Sequence, residues 1–511
     1  MGIDIGKKWY TEMNRKQKLS LNTISSLLKQ VVGTICGFIL PRLFLSHYGS
    51  SVNGLVSSIS QFLSFASIFD AGMGVVIEAS LYKPLAEKDQ LNINRVLTSG
   101  QRFYYRIATI YAIYVIGLIF AYPAVIESEY DYFFVVTLII AISLSSFGQY
   151  CFGVVNSVFL AADQRTYVNS VAYIVTIVLN TLLGAILINL NCSVQIVKLV
   201  ASLTFLLRPI ILKAYVKSKY NINWKEPYTE EPIKQKWNGF AQHIASLILQ
   251  NTDVVILSVF STLENVSIYS IYYLVVHSIQ EVINSATVGI RPLLGDMLAR
   301  KEMKHLDRVF SEVEAIMHAG TTFIFGMTMI LLVPFVKVYT AGVTDANYDV
   351  PIFSFLLCFA YYINCSRYPY QAVIMAAGHF KQTQSSAIIE AVINIVITII
   401  CVFKFGLIGV VCGTVIAMTY RTIYFVVYLK KNILHRPIAK FIRVELIDAI
   451  SLSVMIGTTT FLNLDGISYF AWIKMAVIAG LICILECVVI QLIFNRDIVR
   501  NAINKLIKRN K

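Results

Sequence analysis

Leu81–Val96 reads LYKPLAEKDQLNINRV, and Leu294–Val309 reads LGDMLARKEMKHLDRV. Aligned without a gap, the two share Leu, Leu, Ala, Lys, Arg and Val, and they pair Asp89 with Glu302 and Asn94 with Asp307. A second pair stands further along: Leu160–Thr166 (LAADQRT) and Met375–Lys381 (MAAGHFK). Arg208 and Arg421 extend the correspondence, so the offset stays within 213–215 residues. A fixed offset of this kind marks an internal duplication and decides the architecture.

What is duplicated follows from composition. The chain has 511 residues, is 57% hydrophobic and only 14% charged, and has a mean hydropathy of +0.67. Soluble domains carry about 25% charge, so lipid is the expected solvent. A span needs about 20 mostly apolar residues. Such stretches are read at 20–46, 52–78, 107–126, 132–160, 167–190, 194–213, 238–261, 266–290, 317–340, 350–376, 384–403, 407–429, 445–463 and 468–494. Pro41 and Pro369 predict kinks, because proline removes an internal helix hydrogen bond.

Charge fixes the orientation. The connection after the second span holds Lys83, Lys88, Arg95, Arg102 and Arg106, and the one after the sixth holds Lys213, Lys217, Lys219, Lys225, Lys234 and Lys236. The connections after the eighth and twelfth spans and the C-terminal tail are equally basic, whereas the odd-numbered connections are nearly devoid of Lys and Arg, with Lys404 the exception. The positive-inside rule then places both termini and all even connections in the cytoplasm. The net charge of +14 therefore reports membrane orientation rather than nucleic-acid binding. No small-residue cleavage site follows the first apolar run, so no removable signal peptide is expected.

The expected fold is all-α: a polytopic membrane protein of about fourteen transmembrane helices, as two parallel six-helix halves plus a C-terminal helix pair. The boundaries are 1–220 (spans 1–6), 221–435 (spans 7–12) and 436–511 (spans 13–14 and a basic cytoplasmic tail). Parallel halves of this kind in transporters rock about a site near the midplane.

These features resemble the polysaccharide transporter, or Wzx-type flippase, family of the multidrug/oligosaccharidyl-lipid/polysaccharide exporter superfamily. The resemblance covers essentially the whole chain. It rests on the 6+6+2 plan, on the second-span run HYGSSVNGLVSSISQFLSFASIFDAGMG (His47–Gly74) with its Tyr48-Gly49 pair, on the basic connections and on LAADQRT. It implies movement of a lipid-linked (polyprenyl pyrophosphate) oligosaccharide across the cytoplasmic membrane through a V-shaped central cavity, by alternating access of the halves. The implied partners are that substrate, membrane lipid, and a glycan polymerase with other export machinery, and no nucleic acid. A cation-coupled multidrug exporter of the same superfamily is the alternative, and a membrane glycan-modifying enzyme a more distant one. No GxxxxGK[ST] or HExxH run is present, so neither ATP hydrolysis nor zinc chemistry is expected. The nine cysteines form no CxxC pair, and neither disulfide, metal nor cofactor is expected.

An ionisable group at mid-membrane costs ~2.5–3.5 kcal/mol on insertion scales, so those inside the spans should face one another or a wet cavity. Lys29, Arg42, Asp70, Asp253, Glu281 and Arg367 are assigned to the cavity, with polar neighbours Gln30, Gln61, His243, Gln250, Asn251, His277 and Gln280. The cations would attract a pyrophosphate, Arg bidentately, and Tyr368 and Tyr370 would stack on sugar rings. Arg42 aligns within two residues of Asp253 at the repeat offset, so the two are candidates for an outer gate. Arg208 and Arg421, near cytoplasmic ends, are expected to snorkel. Glu390 and Glu486 stay open between a structural pairing and a cavity role.

Overall fold

The computed structural model describes residues 15–496, except 71, 127–128, 234–239 and 288–289. The N-terminal basic cluster Lys7–Lys8, Lys234, Lys236 and the tail from Arg500 lie outside the described residues, as do the side chains of His243, Gln250 and Arg291. The regular structure of the described residues is all helical, with no strand among them. The helices are α1 (Arg15–Ser64), α2 (Met73–Glu87), α3 (Gln90–Val125), α4 (Tyr132–Gly148), α5 (Val154–Ala162), α6 (Thr166–Asn189) and α7 (Val194–Lys219). They continue as α8 (Phe240–Phe260), α9 (Leu263–Thr287), α10 (Ile290–Ala299), α11 (Met303–Tyr339), α12 (Pro351–Ser366) and α13 (Tyr368–Ala376). The last four are α14 (Phe380–Phe405), α15 (Leu407–Asn432), α16 (Ile438–Thr459) and α17 (Tyr469–Phe494). Each of the fourteen expected spans is occupied by one or more of these, and ten helices among the described residues are long and apolar enough to cross a membrane. The protein is a multi-pass, all-α membrane protein.

The helix breaks fall at particular residues. Helical torsions run through Pro41, and α1 breaks at Gly49 (φ 82°, ψ 178°), a conformation open essentially only to glycine. The second predicted span is not one helix: a 3-10 turn over Phe65–Asp70 separates α1 from α2, and Gly72 is left-handed. Pro369 does coincide with a break, since α12 ends at Ser366 and α13 opens at Tyr368 with proline in its first turn, where its missing N–H costs nothing. Between α4 and α5 the chain makes a π-turn, Gln149–Gly153.

The chain divides into two compact units. One comprises the described residues of Met1–His47 and Ala66–Asn238, the other those of Tyr48–Phe65 and Gly239–Lys511. In the first, Met73, Ile77, Leu81, Ile93, Leu97, Tyr104, Phe159, Leu160 and Leu212 form the core between α2, α3, α5 and α7. In the second, Leu294, Leu306, Phe310, Tyr370, Val373, Phe425 and Leu429 do so. The C-terminal helices α16 and α17 pack on α11. On α17 the buried residues Ala471, Met475, Ala479 and Cys483 recur every four positions, one face of a helix, while Val477, Leu481, Leu485 and Val488 are exposed as lipid contact demands.

The repeat has a structural counterpart. After α7 the chain turns back onto α3: Asn223 N donates to Asn94 Oδ1 at 3.2 Å, Ser99 donates to Glu231, and the Tyr228 ring lies under Arg102 at 5.1 Å. After α15 the chain turns back onto α11, where Arg436 and Lys440 meet Asp307 and Arg436 also meets Glu314. Asn94 and Asp307 are the pair matched at the repeat offset, so equivalent positions receive equivalent segments.

In the second unit, Tyr48–Phe65 is held by side chains from much later in the chain. Ser50 donates to Asp345 through its amide (2.6 Å) and hydroxyl (2.7 Å), Ser51 donates to Glu264, and Asn53 donates to Ser267 at 2.7 Å.

Candidate functional site

The expected cavity cations have different surroundings. Lys29, on α1, places its Nζ 5.1 Å from the centre of the Tyr173 ring, and the Arg208 guanidinium from α7 lies 5.6 Å from the same ring. Asn169 Oδ1, one turn from Tyr173 on α6, accepts from Arg208 Nε (3.0 Å) and Nη2 (2.9 Å). Two cations thus share one tyrosine ring, a favourable place for each, and among the described residues neither is ion-paired with a carboxylate. Arg208 is therefore held by Tyr173 and Asn169. Like charges side by side repel, and a di-anion between them removes the repulsion.

Arg42 is half-buried on α1, and Asp70, at the end of the 3-10 turn, accepts a hydrogen bond from Tyr104. Asp253 is 3% exposed. Its carboxylate accepts from Thr414 (2.7 Å), Tyr269 (2.9 Å) and Asn394 (3.4 Å), which come from α15, α9 and α14. A gate with Arg42 would have to draw this carboxylate out of a shell of three neutral donors. Glu281, on α9, is exposed.

Arg367 sits at the break between α12 and α13, 7% exposed. Its Nη1 lies 2.6 Å from Glu390 Oε1, and Arg421 holds the other oxygen of the same carboxylate. Arg421 is likewise buried, so it fails to snorkel: a buried carboxylate on α14 is a nearer counter-charge than the interface. Glu390 takes the structural role left open for it, and the three groups carry a net single positive charge. Tyr368 and Tyr370 diverge. Tyr368 Oη accepts from Gln280 Nε2 at 3.1 Å, whereas Tyr370 is buried and donates to Glu314, packed on Phe310 and Phe441. The structure brings together Lys29 with Arg208, Arg367 with Glu390, and Tyr368 with Gln280.

A further buried polar group went unrecognised in the sequence. His318 Nδ1 lies 2.7 Å from Asp448 Oδ2, and each side chain is about as buried as any in the chain. Tyr362 donates to Asp448 (3.0 Å) and Glu445 (3.4 Å). The available signal was a histidine and an aspartate inside predicted spans.

No family model matches the sequence, and no curated protein sequence matches it significantly. Solved structures do. The chain is similar to a structure described as the lipid II flippase MurJ in an inward closed conformation, with a TM-score of 0.69 and 16% identity, covering 94% of this chain and 100% of that one. It is also similar to an inward-facing multidrug resistance MATE family transporter of the MOP superfamily, with a TM-score of 0.61 and 14% identity over 81% of this chain and 95% of that one. An outward-facing MATE transporter aligns with a TM-score of 0.54 and 15% identity over 85% of this chain and 97% of that one. The fold of this chain is thus the one shared by a lipid II flippase and by MATE transporters of the MOP superfamily.

Proposed function

We infer that the protein is a transporter that flips a lipid-linked, polyprenyl pyrophosphate oligosaccharide across the cytoplasmic membrane for cell-surface polysaccharide export, by alternating access of its two halves. The observation that carries this reading is the pair Lys29 and Arg208 at the Tyr173 ring. Cations held inside the membrane without carboxylate partners are costly, and a pyrophosphate supplies the missing charge with charge-assisted hydrogen bonds. Two further facts support it. The flippase alignment takes in nearly the whole chain, the MATE alignments about as much less as the C-terminal pair α16–α17 makes up. The tyrosine beside Gln280, Tyr368, offers a ring face to sugars. The partners are then a glycan polymerase and the export machinery that receives the flipped unit, and the termini are cytoplasmic. Arg42 and Asp253 remain our candidates for the outer gate.

The test is a flipping assay in proteoliposomes with a fluorescent polyprenyl-pyrophosphate oligosaccharide. Wild type should move the label between leaflets. Lys29→Gln and Arg208→Gln should each slow it about 10- to 100-fold, the loss of one charge-assisted contact of ~1.5–3 kcal/mol. Equal rates for the pyrophosphate lipid and an uncharged prenol, or normal rates in both variants, would overturn the reading. Efflux of cationic drugs down an ion gradient, with no flipping, would establish the multidrug exporter instead.

A further inference from the structure

The interface between α11 and α16 is sealed by titratable groups that the substrate path does not use. His318 and Asp448 are each 1% exposed. Facing a carboxylate oxygen at 2.7 Å, His318 Nδ1 carries the proton that it donates, which makes Nε2 the basic nitrogen. Nε2 is buried and has no hydrogen-bond partner among the described residues. The ring stands edge-on to Tyr370, 6.2 Å between centroids, and Tyr370 in turn donates to Glu314 one helical turn below His318 on α11.

The charges around this pair do not balance. Glu314 is offset by Arg436. Asp448 has Tyr362 and His318 as its partners, and Glu445 stands three residues before it on α16, within reach of the same tyrosine. The titratable groups facing His318 are Glu314 on its own helix, Tyr362 from α12, Tyr370 from α13, and Glu445 and Asp448 from α16. On the far side of Asp448, α17 brings up Cys487 with Glu486 beside it. A neutral imidazole would leave Asp448 as an uncompensated anion in the membrane, at a cost of several kcal/mol. One proton on the pair removes that cost. Water-accessible groups begin at the rim, where Arg436 and Lys440 meet Asp307.

We propose that His318 and Asp448 form an intramembrane proton-binding site, and that its occupancy fastens α16 to α11. The proton enters at His318 Nε2, giving an imidazolium against the Asp448 carboxylate. With the proton gone, the anion is exposed to Glu445 and the contact loosens. These groups tie α16 to the buried face of α11, so proton binding couples the C-terminal helix pair to the unit it packs on. The coupling to transport rests on the flippase reading above, whereas the proton site itself does not.

Trp472 is a built-in reporter. It sits on α17, donates from Nε1 to the Leu331 carbonyl on α11 (3.2 Å) and packs against Phe335 (5.3 Å). With Trp9, Trp224 and Trp237 replaced by Phe, its emission in lipid nanodiscs should shift with a single midpoint as the pH is raised and the pair gives up its proton. His318→Gln, which keeps a hydrogen-bonding group but takes no proton, should lose the shift. Should that variant not insert, the doubly neutral His318→Gln/Asp448→Asn, which buries no charge at this site, carries the same expectation. Absence of the shift in the parent, or its persistence in either variant, would overturn the proposal. In the flipping assay the rate should depend on pH in the parent and not in His318→Gln. If no variant flips the lipid, the flippase reading falls while the Trp472 titration still decides the proton site.

Discussion

Glu390 stands between two guanidinium groups, from Arg367 and Arg421, with 1% of its surface exposed. Removing its charge leaves two buried cations facing one another, and breaking a buried pair in this way costs about 3–5 kcal/mol. Glu390→Gln should therefore lower the unfolding midpoint in detergent sharply. Arg421→Gln should cost less, because Glu390 keeps Arg367. At this scale the sequence showed which groups were expensive and not where they went. Arg367 and Glu390 were flagged as ionisable within spans, but they meet 23 residues apart across a helix break, a separation with no periodic signature. Arg208 is a related case: depth along a helix suggested the interface, and only tertiary packing could reveal Tyr173 and Asn169 beside it. Asp448 lay inside the predicted span 445–463, but its partner His318 stands 130 residues away on α11, a separation with no periodic signature.

At the scale of the element, the apolar runs located the helices well and their breaks poorly. Gly49 and Gly54 show why. Gly49 has torsions that only glycine holds comfortably, and a Cβ there would lie 2.7 Å from Asp345 Oδ2. At Gly54 the same atom would lie 1.8 Å from the Leu263 carbonyl oxygen, so the backbone of α1 could not approach the start of α9. Both facts depend on a partner more than 200 residues away, which the local pattern cannot express. Gly49→Ala should cost about 1–3 kcal/mol through its torsions. Gly54→Ala should part the segment from α9, releasing Ser51 from Glu264 and Asn53 from Ser267. Faster amide exchange over Tyr48–Phe65 in Gly54→Ala, against no change in Gly37→Ala, where nothing lies within 4 Å, checks this. Unchanged exchange in Gly54→Ala would refute the close approach.

For the whole molecule, composition, charge alternation and the fixed offset sufficed to expect an all-α membrane protein built on a duplication. Spans 10 and 13 show where hydropathy alone stops: α12, α13 and α16 do not qualify as long apolar helices, and they are the ones that bracket Arg367 and carry Asp448. Topology gives the sharpest check at this scale. Labels placed at Glu129, Asn191, Glu264 and Asp345 should react with an impermeant reagent from outside, and labels at Asp163, Glu230, Lys301 and Arg436 should not. A reversal at any of the strongly basic connections would refute the orientation.

The early segment Tyr48–Phe65 also sets a timetable for biosynthesis. Ser50 bonds to a residue 295 positions later, and at about 5–20 residues per second of synthesis it waits roughly 15–60 s for that partner to leave the ribosome. Ser51 and Asn53 wait less long, for Glu264 and Ser267, 213 and 214 positions later, and until each partner emerges a chaperone or the insertion machinery must shield these groups from lipid. Slowing elongation between Gly239 and Asp345 should therefore lower the yield of folded protein, while slowing it after Asp349 should not.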